Sequence, residues 1–243
     1  MLRDYNAELN ARVNFIKRLL RKTGAKGVVF GNSGGKDSVL TGVICRKATE
    51  NVLGVIMPCG SSQNYGRDRE DALRVSELYK IDYAEADLKE ARDALVRATE
   101  KRQRLSAESI ANIAPRLRMA TLYAVARERN YLVAGTGNRS EIFMGYFTKF
   151  GDGAYDFNVI SDLTVTEIYE FMEFLEIPAD IINKPPSGGL YDGQTDEGEM
   201  GVSYKEIDEY ILSGKTNARA EAVIKKANKL TSHKRRQPKL YKE

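Results

Sequence analysis

The chain has 243 residues and is 42% hydrophobic and 30% charged, which suits one large soluble domain or a domain with an extension. No apolar run approaches the length of a membrane span, and the opening MLRDYNAELN lacks the apolar stretch of a secretory signal. The net charge of +4 is uneven: Lys225–Glu243 carries eight Lys or Arg and one acid, and the remainder, 30 basic against 33 acidic, is mildly acidic.

Leu9, Val13, Ile16 and Leu20 are at helical spacing and predict a helix over 5–22, with Gly24 as its stop. KGVVFG predicts a short buried strand and is followed by a helix from Asp37 to Lys47. NVLGVIMP predicts a second strand, ended by Pro58 and Gly60. The polar loop CGSSQNYG leads to a helix over 67–80, then DYAEAD to a third strand and a further helix. Ile110, Ile113, Leu117, Ala120 and Ala124 share one stripe of a helix over 106–129, which Pro115 is expected to kink or divide. YLVAGTGN predicts another strand. Strands alternating with helices predict an α/β fold, a Rossmann-like, doubly wound parallel sheet with helices on both faces. Ligands bind such sheets at the carboxyl ends of the strands, where both GNSGGKDS and GTGNRSE fall.

Beyond residue 145, GYFTKFGDGAYDFN reads as a glycine-broken loop. Val165, Ile168, Phe171, Met172 and Leu175 predict a helix over 164–176. KPPSGGLYDGQTDEGEMG has no periodicity, and a loop of that length is more often functional or mobile than inert. A short helix over 203–213 closes a single domain of residues 1–224. Residues 225–243 are expected to form a basic tail that folds over the substrate site. Basic charge in a tail, rather than on a folded face, argues against a nucleic-acid partner. Cys45 and Cys59 form neither a disulfide framework nor a metal spacing, so a reduced, cytoplasmic setting is expected.

GVVFGNSGGKDSVLTG reads as strand, small-residue loop and helix start, the arrangement that receives phosphate on bare backbone N–H groups and a helix N-terminus. Walker A fails, because Asp37 follows Lys36 and Phe30 stands where its first glycine belongs. The G-x-G-x-x-G fingerprint fails at Ser33. Asp37 would repel a bare phosphate, and the conflict disappears if Mg²⁺, held by one or two carboxylates and by phosphate oxygens, lies between them. The competing reading is a turn followed by an acid in the first turn of a helix.

The SGGKDS stretch resembles the loop of the N-type ATP pyrophosphatases. AGTGNRSEIFMGYFTKFGDGAYDF, NIAPRLRMA, NKPPSGGLYDGQTDEGEMGVSYKEID and SHKRRQP look like the signatures of ammonia-dependent NAD synthetases, in the expected order. The resemblance implies the adenine nucleotide alpha hydrolase version of the fold. It also implies that deamido-NAD is amidated to NAD⁺ through an acyl-adenylate, with ATP split to AMP and diphosphate. On this basis Gly31, Ser33, Gly34, Gly35, Lys36, Asp37 and Ser38 hold the ATP phosphates, with Thr136 and Ser187 also on the ATP side. Asp37 and Glu141 hold Mg²⁺. Arg116, Lys149, Asp156, His233 and Lys234 contact deamido-NAD, and Asp152 takes a proton from ammonium. His233 is the only histidine, which excludes a multi-histidine metal site.

Val165 departs from the pattern, since the family usually places a lysine on ATP there, and Asn138 and Arg139 stand where many relatives carry His or Asp. The chain is too short for a glutamine-using domain, so free or delivered ammonia is the expected nitrogen source. The resemblance also implies a homodimer with the substrate across the interface and the 106–129 helix at its centre. The alternatives are another pyrophosphatase of the superfamily, such as a tRNA-modifying enzyme, or an inactive nucleotide-binding homologue.

Overall fold

The structure, a computed structural model, describes residues 3–184, 189–191 and 193–241. Asp4 opens helix α1 (Tyr5–Thr23) by accepting the amides of Asn6 and Ala7, and Gly24 closes it. Strands and helices then alternate: β1 (Gly27–Gly31), α2 (Lys36–Ala48), β2 (Val52–Ile56), α3 (Ser62–Tyr65), α4 (Arg67–Tyr79), β3 (Asp82–Glu85) and α5 (Lys89–Glu100). The helix expected over 106–129 is divided at Asn112 into α6 (Ala107–Ala111) and α7 (Ile113–Arg129). Pro115 is the third residue of α7, in the first turn, where a missing N–H leaves no helical bond unmade.

After β4 (Tyr131–Gly135) comes α8 (Arg139–Met144), which is too short for periodicity to announce. The segment expected as a glycine-broken loop contains β5 (Phe157–Asn158). The rest is helical: α9 (Val165–Phe174), α10 (Ala179–Ile182), α11 (Asp196–Met200), α12 (Tyr204–Ser213), α13 (Ala218–Leu230) and a 3₁₀ turn at Ser232–Arg235.

The five strands form one parallel sheet in the order β3-β2-β1-β4-β5. Its faces are buried against separate clusters. Val28 and Phe30 of β1 enter one, with Val39, Leu40 and Ile44 of α2 and Ile16 of α1. Val29 between them enters the other, with Leu53, Val55 and Ala126 of α7. This alternation is the signature of a strand covered on both sides. A third cluster, holding Met144, Val165, Tyr204, Ile207, Ala220 and Ile224, joins α8, α9, α12 and α13 beyond the sheet.

Residue 225, where a basic tail was expected to begin, lies inside α13. Ala220 and Ile224 are fully buried and Ala227 packs beside them, so the apolar stripe crosses that boundary. Lys225, Lys226 and Lys229 take the outer positions of the same helix, and the charge run is mostly its solvated side. Residues 237–241 follow without regular structure.

Candidate active site

β1 and β4 are neighbours, so the loops at their carboxyl ends lie side by side. The first loop turns at Gly34, whose φ is +67°; a Cβ there would sit 2.6 Å from the Asp71 side chain and 2.7 Å from the Ala72 nitrogen. Buried Asn32 accepts the Gly34 amide at 3.2 Å and donates to the Ala72 carbonyl at 3.0 Å, which fixes the loop against α4. Ser33 Oγ and Ser38 Oγ lie 3.2 Å apart, and Ser38 Oγ donates to the Gly35 carbonyl at 2.9 Å. The second loop ends in a capping box, in which Asn138 accepts the Glu141 amide at 2.9 Å and Glu141 Oε2 accepts the Asn138 amide at 3.0 Å. Asn138 Nδ2 also donates to Asp37 Oδ1 at 3.2 Å and ties the two loops together.

Lys36 is buried, with its Nζ 2.8 Å from Asp37 Oδ2 and 5.3 Å from the centre of the Tyr204 ring. Burial works to lower its pKa, but the Asp37 and Glu141 carboxylates outweigh that and raise it. Burial, and then the Asp37 carboxylate, push Glu141 well above the usual carboxylate range. Asp196, also buried, accepts the Tyr204 hydroxyl at 2.9 Å. Acidic groups therefore outnumber basic ones around this point.

A cavity of about 810 Å³ opens over both loops. Gly31, Ser33, Gly35, Lys36, Asp37, Ser38, Thr136 and Glu141 line it, and so do Asp152 and Lys234 on the far side. Gly34 shapes the loop from behind and is not part of the wall. Asp152 is reached by solvent through the cavity yet ringed by protein; burial raises its pKa, opposed by the Thr148 amide bonded to Oδ1 at 2.9 Å. Lys234 Nζ donates to the carbonyls of Gly145 at 2.8 Å and Phe147 at 2.7 Å.

Among the described residues, no three His, Cys, Asp or Glu side chains gather as a metal cage. Two carboxyl groups, Asp37 and Glu141, do face one space beside Lys36, and the Asp37 charge helps to hold Glu141 toward its protonated form until a cation enters. That donor set fits a hard divalent cation that completes its shell with phosphate oxygens.

The family model for NAD synthase matches residues 8–242. The chain belongs to the NAD synthase family. It is 44% identical over 229 residues to the NH(3)-dependent NAD(+) synthetase of Carboxydothermus hydrogenoformans, covering 93% of each chain. It is 40% identical to that of Syntrophomonas wolfei, covering 96% of this chain and 94% of the relative. Among solved structures, NMN synthetase from Francisella tularensis superposes with a TM-score of 0.93 at 33% identity, covering 99% of both chains. The NH3-dependent NAD synthetase of Campylobacter jejuni gives 0.82 at 29% identity, covering 99% of this chain and 100% of that one.

The remaining residues that the NAD synthase signatures single out divide into two groups. Arg116, Lys149 and His233 meet at the rim, outside the wall: Arg116 Nη2 donates to the Lys149 carbonyl at 3.4 Å, and Lys149 Nζ to the His233 carbonyl at 2.9 Å. Arg116 and His233 are exposed. Asp156 stands apart, accepting the Val133 amide at 2.8 Å and the Tyr123 hydroxyl at 3.4 Å. Ser187 lies outside the described residues. Val165, in the place of the usual lysine, is buried in the same cluster as Tyr204, the ring beneath the Lys36 ammonium.

Sequence reasoning missed Asn138 as a link between the loops, although N-x-x-E is a readable capping signal. It also missed Arg118, Asn64 and Lys184, all of which line the cavity. Lys184 Nζ lies 2.8 Å from Asp68 and 2.6 Å from Asp71, and nothing in the local pattern distinguished it from a surface lysine.

Proposed function

We propose that the chain is an ammonia-dependent NAD synthetase that amidates deamido-NAD to NAD⁺, with ATP converted to AMP and diphosphate. The observation that carries this reading is the convergence on one cavity of the Ser33–Ser38 loop, the Asp37–Glu141 pair and Asp152, in a chain matched to NAD synthase over nearly its whole length.

The backbone and hydroxyls of Ser33, Gly35 and Ser38 bind the ATP phosphates, with Lys36 as their cation. Asp37 and Glu141 would hold Mg²⁺, which when bound would supply charge neutralisation to the triphosphate. The nicotinate carboxylate attacks the α-phosphate and diphosphate leaves. Ammonium gives a proton to Asp152, the resulting ammonia attacks the acyl carbonyl and displaces AMP, and the second proton lost from nitrogen passes to the released AMP phosphate or to water. A pKa raised by burial suits Asp152 to that acceptance. Lys234 closes the cavity beside it and, together with the rest of the C-terminal segment, limits access of water to the adenylate.

Arg116, Lys149 and His233 form a basic rim on exposed surface, which fits a dinucleotide reaching past the cavity. It also fits a homodimer in which a second copy covers that rim and α7. A cytoplasmic enzyme agrees with two buried free thiols and with the lack, among the described residues, of any helix long and apolar enough to cross a membrane.

A second reading is favoured by the TM-score of 0.93 to the Francisella NMN synthetase: the acid accepted is nicotinate mononucleotide. Parallel measurement of kcat/KM for deamido-NAD and for the mononucleotide, with ammonium and then with glutamine, decides between them. The main reading expects the dinucleotide and ammonium to be preferred. No turnover of either acid, with ATP still bound, would leave an inactive nucleotide-binding protein.

A further inference from the structure

Several arginines that are buried or partly buried in this protein are compensated in one of two ways. Arg12 pairs with Asp162 at 2.7 Å, Arg3 with Glu167 at 2.6 Å and Arg92 with Asp93 at 2.8 Å. Arg235 spends its donors on the carbonyls of Ile142, Phe143 and Asn228 and on the Thr231 hydroxyl. Arg118 is compensated in neither way. Its Nε donates to the Met57 carbonyl at 3.1 Å and its Nη2 to Asn64 Oδ1 at 3.0 Å. Among the described residues, Nη1 has no hydrogen-bond partner, and no carboxylate lies within the 4.0 Å of an ion pair. The guanidinium is partly exposed and hydrogen-bonded only to neutral oxygens, and it feels the Asp152 and Asp68 carboxylates from beyond ion-pair distance.

Arg118 belongs to the cavity wall. Arg118 lies one helical turn after Pro115, against which Gly151 packs so closely that a Cβ there would be 2.9 Å from the proline Cβ. Asp152 follows in the chain, and its carboxylate feels the charges of Lys234 and Arg118. Two cations thus act on Asp152, while Asp68 also acts on Arg118 and Glu108 on Lys234.

We propose that Arg118 Nη1 holds an anionic oxygen of the reactants at the acyl centre, either the carboxylate of the pyridine nucleotide or the α-phosphate of the adenylate. The inference rests on the amidation reading above. The two fixed bonds to Met57 and Asn64 hold the fork in place, so the third nitrogen is oriented before ligand arrives.

Equilibrium binding of deamido-NAD, NAD⁺ and AMP to wild type, Arg118→Met and Arg118→Lys tests this, with a melting curve for each protein. The two dinucleotides differ only in carboxylate against carboxamide. If the carboxylate is the partner, R118M weakens deamido-NAD by about tenfold or more and leaves NAD⁺ and AMP within about twofold, with R118K in between. If the α-phosphate is the partner, the tenfold loss appears with AMP and is absent with the dinucleotides. Unchanged binding of all three, or an equal loss of all three that follows a lowered melting temperature, overturns the proposal. Wild type that binds none of the three overturns the amidation reading and this inference with it. Should R118M not fold, R118K carries the comparison alone, with a weakened preference for acid over amide as the expected result.

Discussion

The ammonium of Lys36 and the carboxylate of Asp37, consecutive in sequence, pair at 2.8 Å on the inner wall of the cavity. The pair sits at the start of α2, where Gly35 is the N-cap and no side chain caps the helix. Asp37 also accepts from Asn138, and Lys36 lies over Tyr204. Asp37 thus already has a cation next to it, and on the proposed reading Lys36 must exchange this partner for phosphate when a divalent ion binds Asp37.

Lys36→Met removes that cation and leaves Asp37 beside Glu141 without it. Breaking a buried pair from one side costs on the order of 3 kcal/mol. The variant is expected to unfold at lower denaturant than wild type, with millimolar Mg²⁺ restoring part of the loss. Denaturation curves with and without Mg²⁺ check this; equal destabilisation in both conditions contradicts it.

Asp37→Asn keeps the side-chain shape and the bond from Asn138 but removes a charge that the metal requires. Its turnover is expected to fall by about 100-fold or more, a loss that saturating ATP does not recover. Initial rates over a range of ATP and Mg²⁺, beside a melting curve, measure it. Unchanged turnover would refute the metal role.

Asp152 is held above the ordinary aspartate value by burial, so it remains protonated, and unable to accept a proton from ammonium, to a higher pH than a solvated aspartate. The acid limb of kcat/KM is therefore expected to lie above the range of a solvated aspartate and to vanish, together with most of the rate, in Asp152→Asn. A pH–rate profile of both proteins checks this. An acid limb retained unchanged by D152N would assign it to another group.

Much of this arrangement is legible in the sequence because it depends on local chemistry. A strand, a turn that only glycine can make and an acid at the helix start identify Asp37, and a resemblance across several stretches places Asp152 and Lys234 on the same site. Arg118 is not legible: an arginine in a helix looks the same in one dimension whether it faces water or turns inward, and only the packing of α7 on β1 and β4 decides. The basic run misled for a related reason, because Lys225, Lys226 and Lys229 hide the apolar stripe of α13 that passes between them. β5 escaped because two residues show no alternation.

Glu206 caps α12, accepting the Ser203 amide and hydroxyl at 2.9 Å each and Asn217 at 2.6 Å, and these bonds hold its carboxyl at about 2. The folded value lies below the 4.5 of a free glutamate, so the native state binds this proton less readily than the unfolded chain. The stabilisation is present above pH 4.5 and disappears as the pH falls through about 2. Glu206→Ala is expected to cost about 1 kcal/mol at pH 7, with the gap to wild type closing over that acidic window. Urea midpoints at neutral and acidic pH measure it.

The most direct test supplies ¹⁵N-ammonium, ATP, Mg²⁺ and deamido-NAD and follows the products by mass spectrometry. The account predicts NAD⁺ labelled in its amide nitrogen and one AMP for each NAD⁺ formed. ADP in place of AMP, or AMP released while deamido-NAD stays unamidated, would contradict it.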